Sequence, residues 1–337
     1  MRGRAWIVAT ALLGMVACGP PRQSSMHVLD VGTVVSSLAF APDGRTLACA
    51  LSDRILLVDA ESCTRIRELG PLPEQHLSLA YSRERLLSAG RDGYARAWDV
   101  KRGIEIGGFR IGVVGNLAIS PDGRWLVTTP AMDGHDGQVE GAATVTVWDL
   151  DRDRHSPPIP GSSYAVQALA VSGEGLVAVS CLELTIDIIE AQSGRRVRSL
   201  RQDGGDTEWV SSLAFSPENP HLLAAGDNLQ GITLWDVADN RSSNRFFPHL
   251  NEFGAPSERI AVMAFAPHGI LAAGATGGCS GLWRIRERPT YGHEAIRSLS
   301  GSGSGGVRAL AVNRDGSLIA EAHGDQTIRI WRGPAPR

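Results

Sequence analysis

The chain has 337 residues, 43% of them hydrophobic and only 6% aromatic, with 39 glycines and a formal charge of −3. That length suits one large repeat domain or two ordinary ones. The near-neutral balance gives no global basic field, which excludes attraction to DNA, RNA or an anionic membrane by bulk charge.

In chain order, the N-terminus comes first because it stands outside the fold. Arg2 and Arg4 open a short positive start, and Ala5 to Val16 is an apolar run. It is too short for a bilayer span, which takes roughly 20 residues, and has the size of a secretory h-region. It ends in Met15-Val16-Ala17-Cys18-Gly19, followed by the polar, Pro-rich stretch Pro20 to Ser25. This ending resembles the lipobox of bacterial lipoproteins, with Met15 in place of the usual Leu. The resemblance implies cleavage before Cys18, a lipid (palmitate among its acyl chains) on that cysteine, and a membrane anchor. The organisation expected is a signal peptide over 1–17, a lipid-anchored linker over 18–25 and one domain over 26–337. In a Gram-negative envelope, Gly19 in place of Asp directs such a protein to the periplasmic side of the outer membrane.

From residue 26 onward the chain repeats. VSSLAF occurs twice, at Val35–Phe40 and Val210–Phe215, with looser copies ending at Tyr81, Ile119, Val171, Phe265 and Val312. The Leu or Met of these copies stands at 38, 79, 117, 169, 213, 263 and 310, a spacing of 38 to 52 residues. Most copies run into a turn such as Ala41-Pro42-Asp43-Gly44, Ser120-Pro121-Asp122-Gly123 or Asn313-Arg314-Asp315-Gly316. Pro presets φ, Asp bonds back to the backbone and Gly accepts positive φ, which is hairpin chemistry. A second apolar run follows. A third ends in Val58-Asp59, Trp98-Asp99, Trp148-Asp149, Ile189-Glu190, Trp235-Asp236, Trp283-Arg284 or Trp331-Arg332. The distance from the Leu or Met to this pair is 19 to 22 residues in six copies and 31 in the third, which carries an insertion.

Seven such units resemble the WD-repeat family, and the resemblance covers about residues 26–332. It implies an all-β, seven-bladed β-propeller of four-stranded antiparallel blades, with strands a to d counted outward from a central channel. The strand-c tryptophans (Trp98, Trp148, Trp235, Trp283, Trp331) pack between blades, and a loop Asp six residues earlier (Asp92, Asp325) supports the turn. The family's Gly-His pair before strand a is absent, which removes the usual source of its buried His-centred network. The last repeat ends after strand c, while Met26–Val31 has no partner of its own. Pairing the two completes the last blade and closes the ring.

Active-site motifs do not survive inspection. Gly301-Ser-Gly-Ser-Gly-Gly306 spells G-x-G-x-x-G, yet a strand pattern follows where a dinucleotide site needs a helix. His293-Glu294 lacks a second His for zinc, and neither C-x-x-C nor G-x-S-x-G occurs. We expect no catalytic residues, no cofactor and no nucleic-acid partner. The four cysteines after Cys18 are expected as buried thiols rather than bridges. Asp133, His135, Asp136 and Glu140, in the third-repeat insertion, are weak candidates for a cation; their spacing fits a solvated loop better. Trp209, Tyr164 and Phe253, aromatics just before strand a, and Arg91 are candidate contacts for an unidentified protein partner. The function expected is a membrane-tethered protein-interaction scaffold of the bacterial cell envelope. The alternative is a propeller enzyme or small-ligand binder with its site at the central channel.

Overall fold

The computed structural model describes residues 27–72, 77–82, 85–90, 92–112, 114–130, 144–152, 154–160, 166–181, 184–202, 208–243, 245–246, 259–286, 292–299 and 305–334. These residues form seven antiparallel sheets and no helix. Six sheets have four strands; the third has five, because two short strands, Arg154–His155 and Ile159–Pro160, share its outer position. The sheets are the blades of a seven-bladed propeller.

The inner strands are Ser37–Phe40, Leu77–Ser82, Val114–Ile119, Val166–Val171, Val210–Phe215, Ile260–Ala266 and Val307–Val312. Each lies beside the next, and the seventh returns to the first. Polar side chains tie neighbours together. The Leu79 N–H donates to Ser37 Oγ at 3.0 Å, Asn116 Nδ2 to the Val166 carbonyl at 2.7 Å, and Ser211 Oγ to the Ile260 carbonyl at 2.8 Å. A repeated serine or asparagine in an apolar strand thus has a structural use. It satisfies backbone groups that the neighbouring sheet cannot reach.

The seventh blade takes its outer strand from the N-terminal side. His27–Asp30 pairs with Thr327–Arg332 in the register His27↔Ile330 to Asp30↔Thr327. The Asn313 amide also donates to the Gly44 carbonyl at 2.9 Å, joining the turn of the last blade to that of the first.

The core is divided. Seven apolar clusters each fill one gap between adjacent blades. In the gap between the first two blades, Ile55 and Leu57 of the first meet Leu86 and Trp98 of the second. The same arrangement recurs around the ring because the strand period of two sends alternate residues to opposite faces of each sheet. Cys49, Cys181 and Cys279 are buried thiols within these clusters; Cys63 is a half-buried thiol at a turn.

Candidate functional site: blade tryptophans, loop carboxylates and the channel mouth

Four of the five strand-c tryptophans are buried between blades, while Trp148 is half-buried. Three of the indole N–H groups follow one register rule, while the sixth blade has Ala273 at the acceptor's place. The strand-b residue two beyond the one opposite the tryptophan supplies the acceptor. Trp98 donates to Ser88 at 2.9 Å, Trp148 to Thr128 at 3.0 Å and Trp331 to Glu321 at 3.1 Å. In the fifth blade that place is Ala225, and the buried Trp235 N–H has no partner among the described residues. In the first and fourth blades the tryptophan itself is replaced, by Val58 and Ile189, and the facing places hold Cys49 and Val179.

The Glu321 acceptor belongs to a larger group. Its Oε2 lies 3.3 Å from His323 Nε2, and both side chains are fully buried. Asp325 follows two residues later. A His-centred network therefore exists in the seventh blade without a Gly-His pair just before strand a, because the histidine comes from the end of strand b.

Both predicted loop aspartates brace their turns. Asp92 accepts the Tyr94 N–H at 3.2 Å and pairs with Arg96 at 2.6 Å. Asp325 accepts the Thr327 N–H and hydroxyl at 3.1 and 2.6 Å and pairs with Arg329 at 2.8 Å. Partial burial pushes the Asp325 carboxyl up, but the Thr327 bonds and the charge of Arg329 outweigh it and hold the group below its usual value.

A third carboxylate stands at the end of strand b and escapes the six-residue spacing. Asp227 lies eight residues before Trp235, at the place that His323 takes before Trp331. It accepts the N–H groups of Leu229 and Gly231, both at 2.8 Å. Arg245 binds it at 2.7 Å and also reaches Glu208 at 2.7 Å, while the Gln202 amide donates at 3.3 Å. Burial pushes the Asp227 carboxyl above its ordinary value despite these donors. The signal available in sequence was Asp-x-x-x-Gly ahead of Trp; Arg245 and Glu208 left none.

Trp209 stands just above this cluster. Its N–H donates to Asn228 Oδ1 at 2.9 Å, and its carbonyl accepts the Asn228 N–H at 3.1 Å. The ring is half-buried, and its indole nitrogen is buried without a partner among the described residues. Cys18, Arg91, Tyr164, Phe253 and the insertion residues Asp133, His135, Asp136 and Glu140 lie outside the described residues. Among the described residues no group of three or more His, Cys, Asp or Glu is placed to hold a metal, and no helix is long and apolar enough to cross a membrane.

The central channel opens, at the end carrying the turns between strands a and b, into a cavity of about 950 Å³. Every blade contributes the end of its strand a to the wall, including Phe40, Tyr81, Ile119, Val171, Phe215, Phe265 and Val312. The turns add Pro42, Pro121, Pro217 and Pro267, and the charges at the rim are Asp122, Arg124, Asp151 and Arg314. The result is an apolar funnel with a charged lip.

Fold and repeat register together define a seven-bladed β-propeller with tryptophans packed between its blades. Residues 24–58, 194–236 and 293–332 match the family model described as WD domain, G-beta repeat. The chain is similar to WD repeat-containing protein 55 of Pongo abelii, at 30% identity over 50% of this chain and 41% of the relative. It is also similar to nuclear distribution protein nudF of Emericella nidulans, at 27% over 45% and 37%. An uncharacterized WD repeat-containing protein of Synechocystis matches at 29% over 40% of this chain and 34% of its own length. The chain spans about two-fifths of the length of these curated relatives.

Proposed function

We propose that this chain is a non-catalytic protein-interaction scaffold, tethered by a lipid on Cys18 to a membrane of the bacterial cell envelope. The WD-repeat matches support the scaffold class. The observation that carries the reading is the channel funnel. It joins aromatic and proline surface to a charged rim, the composition of a protein contact site, and a rigid ring holds it open. Trp209 and the connections around it offer a second face. The tether rests on the sequence Met15-Val16-Ala17-Cys18-Gly19 and its apolar approach.

Two experiments test the two halves. Mass spectrometry of the mature protein should show an N-terminal diacylated cysteine, and Cys18→Ser should move the protein from the membrane to the soluble fraction. An unmodified cysteine and unchanged partitioning overturn the tether. Affinity capture from detergent-solubilised envelopes should recover a partner with the native chain. That partner should be lost with Phe265→Glu in the funnel, or with Trp209→Ala plus Tyr164→Ala on the other face. Recovery that is indifferent to both overturns the placement of the contact.

A further inference from the structure

The seven gaps between blades are built alike except one. Two strand-c residues, one and three before the Trp position, face the next blade. They are Ile55 and Leu57, Val145 and Val147, Ile186 and Ile188, Ile232 and Leu234, Ser280 and Leu282, and Ile328 and Ile330 in six blades. The second blade alone carries alanine at both, Ala95 and Ala97. The residues equivalent to Ala97 are each at most 2% exposed, whereas Ala97 is half-buried.

The neighbouring outer strand repeats the economy. Gly107 and Gly108 stand where the fourth blade has Arg198 and Ser199. A Cβ built on Gly107 meets nothing within 4 Å. Across the gap, the apolar cluster has three buried members among the described residues, Ala89, Ala95 and Leu126, and its other members are partly exposed. The consequence is a cleft of about 270 Å³ between the second and third blades. Packed interiors do not keep such voids without a cost, and small-ligand sites are concave, mostly apolar, and carry a few placed polar groups.

The polar groups here are unequal. Arg96 is compensated by Asp92 at 2.6 Å and Glu105 at 3.6 Å. Asp151 lies in the field of Arg124. Arg85, at the start of strand b, also lines the cleft and has no ion-pair partner among the described residues.

We propose that this cleft is a binding site for a small apolar carboxylate, its chain against Leu126 and the Gly107–Gly108 floor and its charge on Arg85. The cleft adjoins the channel funnel, sharing Ile119 and Asp151 with it, and the proposal is independent of the scaffold reading.

Decanoate is the probe, with 1-decanol as the uncharged control. Calorimetric titration of the native chain should show saturable decanoate binding, about tenfold tighter than decanol, and a rise in Tm. Arg85→Ala should remove about that tenfold preference without changing the Tm of the free protein. Ala97→Leu, which restores the side chain of the other blades, should raise the Tm of the free protein and abolish binding. Gly107→Val, whose added atoms enter open space, should abolish binding too and serves if Ala97→Leu fails to fold. Absence of binding by the native chain overturns the proposal, and so does binding unaffected by filling the cleft.

Discussion

At the scale of single residues, the chain shows two ways to bury an indole. A tryptophan N–H in a dry gap needs an acceptor, since leaving a buried donor unmade costs about 1–3 kcal/mol. Ser88, Thr128 and Glu321 supply it; Ala225 does not. Ala225→Ser should therefore raise stability by about 1 kcal/mol, because it places a hydroxyl where the second, third and seventh blades have their acceptor. Ser88→Ala should lower it by about 1–3 kcal/mol. Urea midpoints of the two variants against the native chain read both signs, and a destabilising Ala225→Ser would contradict the register rule. Gly231 is constrained in the same way. An added Cβ would collide with the Arg245 guanidinium and the Asp227 carboxylate. Gly231→Ala should cost at least about 2 kcal/mol, since it displaces one partner of a buried ion pair. Thermal denaturation of that variant beside Gly107→Ala, a glycine with free space around it, separates the clash from a general loss of backbone freedom.

At the scale of strands, the outer edges are protected by irregularity. The register of strands c and d slips by one residue in four blades, leaving Ile66, Ile106, Val197 and Ile296 as the bulged residues. Three of them rank among the exposed large apolar side chains. Bulges interrupt the row of free N–H and C=O groups that an edge strand would offer to another chain, and flanking arginines such as Arg65, Arg67, Arg196 and Arg198 add repulsion. The edge that needs most care is that of the last blade. His27–Asp30 covers it with a four-residue ladder, and Leu29 packs on the cluster between the last and first blades. Removing residues 27–30 should lower the Tm of the whole ring and promote association through the uncovered Thr327–Arg332 edge. Calorimetry and light scattering on the shortened protein test this, and an unchanged Tm would count against closure by this strand.

At the scale of the molecule, stability is a ring of seven separate gaps, and carboxylates at the turns fasten each blade to itself. Asp43 accepts the N–H groups of Arg45 and Thr46. Asp59 pairs with Arg45 at 2.6 Å and Asp149 with Arg124 at 3.0 Å. Partial burial raises each of these three carboxyls, but the hydrogen bonds and arginines outweigh it and leave them below the ordinary 3.8. Bonds from Ser317 lower Asp315 in the same direction. A depressed folded-state value means the stabilisation is present above 3.8 and is lost as pH falls through that lower value. Asp227, raised by burial, has the opposite sign and offsets a part. Urea midpoints should thus be flat near neutrality and fall below about pH 4. A midpoint that rises on acidification would show that the buried carboxylates dominate over the turns.

What the sequence determined by itself was whatever repeats. Seven copies of strand, turn, strand and a third strand ending in Trp-Asp or a relative of it were enough for the propeller, its blade count, the bracing by Asp92 and Asp325, and the borrowed outer strand. Those features depend on neighbours within one blade, and local patterns encode them. Tertiary structure alone decided what no local pattern spells out. Arg245 meets Asp227 and Glu208 from a distant connection, His323 replaces a missing Gly-His pair from another place, and the ends of the seven inner strands form one funnel. The two alanines of the second blade were visible as letters. Only the register, which turns both toward the third blade, made them the walls of a cleft.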